Sequence, residues 1–174
     1  MVRDHKETLY KESTSKEDSK ERVKAITLAT INDRYNNHLH IFTDGSKQDN
    51  STTAAIWVPQ ANHQDKWKLD PGDILSIMSA EMYAIIKAAE WLALNAVIIE
   101  NKQVVILTDS MSALETMKHW PNTNHQTLVN QMIGITNIIE DVVFSLTLQF
   151  VPSHVGTEGN EMADQLAWTD TDLP

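Results

Sequence analysis

The sequence contains no cysteine among its 174 residues. This absence excludes disulfide bonds, zinc sites built on thiolates, and cysteine nucleophiles. It suits a reducing compartment without establishing one. Any chemistry in this chain must therefore use oxygen and nitrogen side chains.

Long apolar runs are also missing. No stretch approaches the ~18 to 20 consecutive apolar residues of a membrane span, and the N-terminus lacks the apolar segment of a signal peptide. We therefore expect no membrane partner and an intracellular location, in the cytoplasm or nucleus, without secretion. The hydrophobic content of 41% is nevertheless enough for a sizeable core, which excludes a wholly disordered chain.

Positive charge is scarce. Lys and Arg number 14 against 24 Asp and Glu, which gives a net charge of −10. Residues 1–38 hold 8 basic and 7 acidic side chains, whereas the remainder holds 6 and 17 and has no arginine after Arg34. Phosphate binding normally requires a basic surface, so bulk charge alone argues against a nucleic-acid partner.

The pattern along the chain predicts one α/β domain between two tails. Residues 1–37 are interpreted as a charged flexible tail or linker, in which the stretch between Arg3 and Lys24 is a mobile tail or a solvated helix, and residues 171–174 as a C-terminal tail. Residues 38–170 form the predicted domain, a mixed sheet flanked by helices. The predicted strands are 39–43, 53–58, 66–69, 104–108 and 144–151, with a turn over 44–52, and the predicted helices are 79–96, 110–119, 126–140 and one that begins near Asn160 as its N-cap.

Four carboxylates occupy positions where the pattern would favour apolar or neutral residues. Asp44 and Asp109 follow predicted strands, where each could simply form a turn or cap a helix. Glu81 lies on the apolar stripe of its helix; the helix dipole favours an acid there, but an unpaired buried charge requires a cation. Asp164, in the last helix, would alone be an ordinary surface acid.

Together, the four carboxylates predict a metal site. If the strands before Asp44 and Asp109 are parallel neighbours, their ends meet where α/β sheets bind ligands. Clustered carboxylates without nearby arginine cannot all remain ionised unless cations join them. Oxygen ligands select hard metals, which favours Mg²⁺ or Mn²⁺ and disfavours zinc.

Four segments resemble, in order, the motifs of type 1 ribonuclease H, most closely the domains attached to retrotransposon reverse transcriptases. The acids within them are separated by 37, 28 and 55 residues, and the resemblance covers residues 38 to 170. Residues 1–37 could then be a linker within a larger polyprotein. The four segments are TDGS at 43–46, SAEMYA at 79–84, LTDS at 107–110 and VPSHVGTEGNEMADQLA at 151–167.

The resemblance implies a ribonuclease H-like fold with a five-stranded mixed sheet. It also implies an enzyme that hydrolyses the RNA strand of RNA/DNA hybrids and leaves 5′-phosphate and 3′-hydroxyl ends. Carried over by motif, the ligands of two Mg²⁺ ions, for which Mn²⁺ can substitute, are Asp44, Glu81, Asp109 and Asp164, with Asp44 bridging the ions. Two such ions can promote an in-line displacement without any protein nucleophile.

One histidine joins these acids through the resemblance. His154 lies in the loop 152–159, whose two glycines suggest mobility. Such a residue is often only a surface side chain, but it matches the family's loop histidine, which implies a role in proton transfer or product release. Nearby Glu158 and Glu161 are interpreted as solvated charges at the start of the last helix.

Choice of RNA over DNA rests on contacts to 2′-hydroxyl groups across a shallow minor groove. The candidate substrate-binding residues are Gly45, Ser46, Lys47 and Ser79. Residues 110–140 contain Lys118 as their only basic side chain, whereas some relatives carry a basic helix or loop there. Binding should therefore be weak and salt-sensitive unless a reverse transcriptase or another basic domain assists.

That departure leaves two other interpretations open. The chain could be a catalytically weak or inactive docking domain of a reverse-transcriptase complex, although it retains all four carboxylates. It could also keep the fold but act on DNA, as related integrases and exonucleases do.

Overall fold

A computed structural model of the chain describes residues 18–48, 51–69, 76–95, 97, 99–100, 102–118, 126–139 and 145–168. The strands are β1 (Leu39–Gln48), β2 (Ser51–Val58), β3 (His63–Leu69), β4 (Gln103–Thr108) and β5 (Ser145–Phe150). The α-helices are α1 (Lys20–Tyr35), α2 (Ile77–Asn95), α3 (Met111–Lys118), α4 (Gln126–Ile139) and α5 (Glu158–Trp168).

The strands form a single mixed sheet in the order β3-β2-β1-β4-β5. The three strands β1, β2 and β3 pair antiparallel, whereas β4 runs parallel to both β1 and β5. This arrangement confirms the predicted fold class, an α/β protein with a five-stranded mixed sheet flanked by helices.

The predicted turn over 44–52 is wrong for residues 44–48, which continue β1, and for residues 51 and 52, which begin β2. The parallel pairing with β4 ends where Thr43 faces Thr108, but β1 goes on pairing with β2 until Gln48 faces Ser51. Asp44 therefore lies within a strand rather than at its end. The polar residues that suggested a turn belong to an antiparallel extension of β1, β2 and β3 beyond the parallel part of the sheet.

Two hydrophobic layers cover the sheet, one on each face. On one face, Ile41 and Ile106 belong to a core cluster with Ile85 of α2 and Val129 of α4. On the other face, alternate residues of β1 and β4 form a second cluster with α1 and α5. The strand β4 is buried on both faces, as its continuous apolar run predicted.

Part of the charged N-terminal segment packs on the second face. Ser19 caps α1 by accepting a hydrogen bond from the Arg22 amide. Ile31 and Tyr35 are only 7% and 6% exposed and belong to the core cluster, and the Tyr35 hydroxyl donates to Gln149 Oε1 at 2.7 Å. Residues 20–35 therefore form a helix with one face buried in the core, whereas a solvated helix was predicted only as an alternative for the stretch between Arg3 and Lys24.

The predicted division into an N-terminal tail, a domain and a C-terminal tail otherwise stays a prediction, since residues 1–17 and 171–174 lie outside the described residues. Among the helices that the structure describes, none is long and apolar enough to cross a membrane.

Candidate active site

The parallel pair β1 and β4 brings Asp44 and Asp109 together. Thr43 and Thr108 are the last facing residues of the pair, so the next position on each strand carries an aspartate at the same edge of the sheet. The side chain of Asp44 is buried, at 5% exposure, and that of Asp109 is half-buried. The convergence that the sequence predicted for these two residues is therefore present.

A close approach at Gly45 adds Glu81 to the pair. A Cβ atom on Gly45 would lie 2.5 Å from the Glu81 nitrogen and 2.6 Å from the Ala80 carbonyl carbon, closer than side chains tolerate. Only a residue without Cβ lets β1 contact the first turns of α2 in this way. As a result, carboxylate oxygens of Asp44, Glu81 and Asp109 all lie within 4.8 Å of one another.

Helix α5 completes the site through a second glycine contact. The ring of Phe42 occupies the space where Gly159 would carry a side chain, which places α5 directly against β1. Asn160 then donates from Nδ2 to Asp109 Oδ2 at 3.3 Å. Its prediction as an N-cap is wrong, because α5 begins at Glu158 and Asn160 is a buried residue within it. Asp164 follows one turn later.

Eight of the nine residues predicted for the site line one cleft of about 280 Å³. The exception is Ser79, which is 5% exposed and whose hydroxyl lies 3.0 Å from that of Ser76. The cleft residues that were predicted are Asp44, Gly45, Ser46, Lys47, Glu81, Asp109, His154 and Asp164.

Three lining residues were missed by sequence reasoning: Ile77, Ser153 and Trp168. Helical spacing contained a signal for two of them. Ile77 precedes Glu81 by four residues on α2, and Trp168 follows Asp164 by four residues on α5, so each lies one turn from a carboxylate.

Burial and mutual repulsion control the charge of the two deepest acids. Burial raises the pKa of Asp44 to about 8, and the charges of Asp109 and Asp164 contribute to the rise. Burial also raises the pKa of Glu81 to about 9, together with the charges of Asp44 and Asp109. The backbone amide of Gly45 opposes both rises but does not offset them.

The two outer acids are shifted in the same direction. Partial burial raises the pKa of Asp109, while the hydrogen bond from Asn160 lowers it and the charge of Asp164 raises it again. Partial burial likewise raises the pKa of Asp164, against the opposing influence of His154. All four acids are therefore held at an electrostatic cost in the absence of a cation.

The donor set fits a divalent cation. Within the described part of the chain, Glu81 Oε2 is a buried oxygen without a hydrogen-bond partner. An oxygen of this kind is costly unless a ligand satisfies it. Oxygen donors from Asp44, Glu81 and Asp109 suit Mg²⁺ or Mn²⁺ in number and hardness.

His154 lies at the mouth of the cleft on a constrained loop. Its φ angle is 54°, in the left-handed region, and its side chain is 67% exposed with Nδ1 3.7 Å from Asp164 Oδ2. The Gly156 amide, at φ 83°, donates to Glu161 Oε1 at 3.0 Å. The interpretation of Glu161 as a solvated charge is therefore wrong, because this carboxylate fastens the loop.

The Asp164 carboxylate lies closer to His154 and Glu161 than to the three acids Asp44, Glu81 and Asp109 as a group. Ligand atoms of His154, Glu161 and Asp164 lie within 4.8 Å of one another. Asp164 still lines the cleft and raises the pKa of Asp44, so it stands between the inner carboxylates and the histidine.

Comparison with known proteins gives a match that covers most of the chain. A family model described as RNase H matches residues 36–171. The comparison with curated proteins found no match.

Proposed function

Because the chain belongs to the ribonuclease H family over residues 36–171, we propose that it is an endonuclease that hydrolyses the RNA strand of RNA/DNA hybrids. Membership supports a hydrolase of this general kind, a nuclease that acts on hybrids. The cleavage products, 5′-phosphate and 3′-hydroxyl ends, and the metal mechanism are the finer parts of the proposal. The product ends follow from the family resemblance, and the observation that carries the metal mechanism is the convergence of three carboxylates within 4.8 Å at the end of the parallel strands.

Two divalent cations would be held by Asp44, Glu81, Asp109 and Asp164, with Asp44 shared between them. The family generally uses divalent metal, and Mg²⁺ is proposed here with Mn²⁺ as a substitute. When bound, such a pair lowers the pKa of an attacking water and stabilises the leaving oxygen of an in-line displacement. The unsatisfied Glu81 oxygen and the raised pKa values of Asp44 and Glu81 support this assignment.

The chain's own residues prepare the site in three ways. The close packing at Gly45 fixes Glu81 beside Asp44, and the hydrogen bond from Asn160 orients Asp109. Preorganised ligands need no rearrangement when charge develops. His154, two-thirds exposed with Nδ1 directed at Asp164, is placed to carry a proton between the cleft and solvent or to assist product release.

Substrate contacts are proposed along the β1 segment that lines the cleft. Gly45 and Ser46 line the cleft and are proposed to contact 2′-hydroxyls, which distinguish RNA from DNA; Ser46 is only 3% exposed, so this contact would also require movement. Lys47 is exposed at the same cleft and suits a phosphate of the hybrid. Ser79 would require movement of the first turn of α2, since its side chain is buried.

Incubation of the purified chain with an end-labelled RNA/DNA hybrid and Mg²⁺ tests the proposal. We expect internal cuts in the RNA strand alone, loss of cutting with EDTA and with Asp109→Asn, and normal cutting with Glu115→Gln. Glu115 is a matched acid on α3, with its side chain 51% exposed. Cleavage that persists in Asp109→Asn would reject the metal site, and cutting of a DNA duplex would favour integrase-like or exonuclease-like chemistry.

A second function is favoured by the charge of the cleft. Of the residues described as lining it, Lys47 is the sole lysine or arginine. The domain could therefore depend on a basic partner, such as a reverse transcriptase, and act mainly as a docking module within that complex. Calorimetry with Mn²⁺ distinguishes the two functions. A metal-dependent nuclease should bind Mn²⁺ and lose this binding in Asp44→Asn, whereas a docking module without catalysis should show no such binding.

A further inference from the structure

Two large apolar side chains stay exposed at the edge of the carboxylate cleft. Ile77 is 48% exposed and Trp168 is 59% exposed, and both line the cleft together with the acids. A single exposed apolar residue needs no explanation. Two of them beside one polar, acidic cleft form an apolar border where solvent would favour polar groups.

Each of these residues lies one helical turn from a different acidic residue of the cleft. Trp168 follows Asp164 by one turn of α5, and Ile77 precedes Glu81 by one turn of α2. Residues four apart on a helix have Cβ atoms about 5 to 6 Å apart. Each side chain therefore lies beside the carboxylate that is one helical turn away from it.

Two hydrogen bonds hold the backbone at the end of α5, where Trp168 lies. The Ala167 carbonyl accepts a hydrogen bond from the buried Thr53 hydroxyl, and the Trp168 carbonyl accepts one from Gln48 Nε2 at 3.3 Å. These two bonds satisfy carbonyls that the last turn of a helix otherwise leaves without partners. They also join the C-terminus of α5 to the β1–β2 hairpin, which carries the proposed contacts to the hybrid.

The charge of the molecule indicates what such an apolar border would do. Nucleic-acid affinity usually comes from many phosphate contacts, but here the chain has a net charge of −10 and Lys47 at the described cleft. Aromatic side chains provide a separate source of affinity, because they pack on bases and sugars without requiring charge. An exposed tryptophan at the edge of a cleft whose described lining has one lysine therefore suits a nucleotide's ribose and base better than its charged backbone.

On this basis we propose that Trp168, assisted by Ile77, is a substrate-binding residue that packs against the ribose and base edge of the nucleotide next to the scissile phosphate. The contact supplies affinity that salt does not screen. This inference rests on the proposed function, since it assumes a hybrid in the cleft.

Binding of a fluorescently labelled RNA/DNA hybrid, measured with Ca²⁺ in place of Mg²⁺ at several salt concentrations, tests the role of Trp168. Trp168→Ala should weaken binding roughly tenfold or more, because aromatic contacts with bases contribute at that level. Trp168→Phe should retain most of the affinity. In cleavage assays with Mg²⁺, Trp168→Ala should raise KM and leave kcat nearly unchanged.

The salt series separates an apolar contact from a charged one. Trp168→Ala should lower affinity equally at every salt concentration, whereas Lys47→Ala should reduce the slope of log K against log salt by about 0.7 to 0.9. Leu94→Ala is the matched control, because Leu94 is 85% exposed on α2 and is not a lining residue of the cleft. It should bind as the unmodified chain does.

Unchanged affinity in Trp168→Ala would overturn the inference, and so would a change in salt slope. If Trp168→Ala lowers the melting temperature, Trp168→Phe and Trp168→Leu are compared instead, and equal affinity of these two would also overturn it. Failure of the unmodified chain to bind the hybrid would reject the proposed function as well. If the unmodified chain cleaves the hybrid normally and Trp168→Ala binds it with unchanged affinity, only this inference is rejected.

Discussion

Glu81 is subject to two opposing requirements. Its side chain is 7% exposed, and burial together with the charges of Asp44 and Asp109 raises its pKa to about 9. A metal ligand has to be ionised, however, and a neutral carboxyl is a poor donor. The same residue is therefore neutral near pH 7 without metal and charged with it, which couples metal binding to proton release.

Replacement of Glu81 by Gln tests this coupling through stability. A carboxyl whose pKa rises from 4.5 unfolded to about 9 folded stabilises the protein fully below pH 4.5. That contribution is lost as the pH rises through about 9, because the folded state then gives up a proton that it binds more tightly. Urea unfolding in EDTA should show a free energy of unfolding that falls between about pH 4.5 and pH 9, and falls less in Glu81→Gln. Equal slopes in the two proteins would contradict the raised pKa. Glu115→Gln, a half-exposed acid, should behave as the unmodified chain.

Gly45 gives a prediction about packing rather than charge. A methyl group in Gly45→Ala would collide with the backbone of α2 at Ala80 and Glu81. Overpacking of this kind typically costs about 1 to 3 kcal/mol. We expect a lower melting temperature and weaker Mn²⁺ binding by calorimetry, because Glu81 would move away from Asp44. Gly134→Ala on α4, where a Cβ meets nothing within 4 Å, is the control and should not destabilise the protein.

At the scale of elements, α1 extends the domain beyond the family match. The family model begins at residue 36, yet α1 ends at Tyr35 and contributes Ile31 and Tyr35 to the core. The Tyr35 hydroxyl also satisfies the buried side chain of Gln149 in β5. A domain cut at residue 36 would therefore expose apolar surface on the sheet.

Alanine substitutions on α1 measure this contribution. Ile31→Ala should lower the free energy of unfolding by roughly 2 to 4 kcal/mol, because a buried aliphatic side chain leaves a cavity. Leu28→Ala, at a position 43% exposed on the same helix, should have a much smaller effect. Urea unfolding of the two variants measures the difference. An effect of Ile31→Ala on the free energy of unfolding as small as that of Leu28→Ala would show that α1 is not part of the cooperative unit.

Sequence patterns predicted some of these elements better than others. The continuous apolar run of β4 and the regular apolar spacing of α2 reflect burial that neighbouring residues alone specify. The extension of β1 through residues 44–48 depends on its partner β2, which local turn propensities do not reveal. The apolar residues of α1 do not form one stripe, since Leu28 is 43% exposed whereas the polar Thr27 is buried with Ile31 and Tyr35, so the pattern did not reveal its packed face.

The four acids of the cleft were predicted together with Gly45, Ser46, Lys47 and His154, but the roles of two residues that support them, Asn160 and Glu161, were not. The acids stand out as a set, because they recur in order within four motifs, although Asp164 alone would be an ordinary surface acid. Asn160 and Glu161 do not stand out, because their roles depend on partners far away in sequence or on loop geometry, the former on Asp109 and the latter on Gly156.

At the scale of the whole molecule, the net charge of −10 has two parts. Four negative charges belong to the proposed metal ligands, and the rest is spread over a surface poor in lysine and arginine. Added Mg²⁺ or Mn²⁺ should therefore raise the melting temperature, by mass action and by relief of repulsion. A metal at one hundred times its Kd would contribute about 2.7 kcal/mol of stability.

Differential scanning calorimetry at several metal concentrations gives the measurement. Asp44→Asn should lose most of the shift, because Asp44 is shared in the proposed site, whereas Glu115→Gln should keep it. An unchanged melting temperature at millimolar metal would count against a converged site.

The buried carboxylates also determine how this protein would respond to selection. Neutral replacements at Asp44 or Glu81 remove repulsion that the metal-free fold has to tolerate above neutral pH. A library screened only for heat resistance in the presence of a chelator should therefore become enriched in variants that fold well and cleave nothing. Screening for heat resistance with Mg²⁺ present would reverse the preference at these two positions, because bound metal then stabilises the variants that keep both acids.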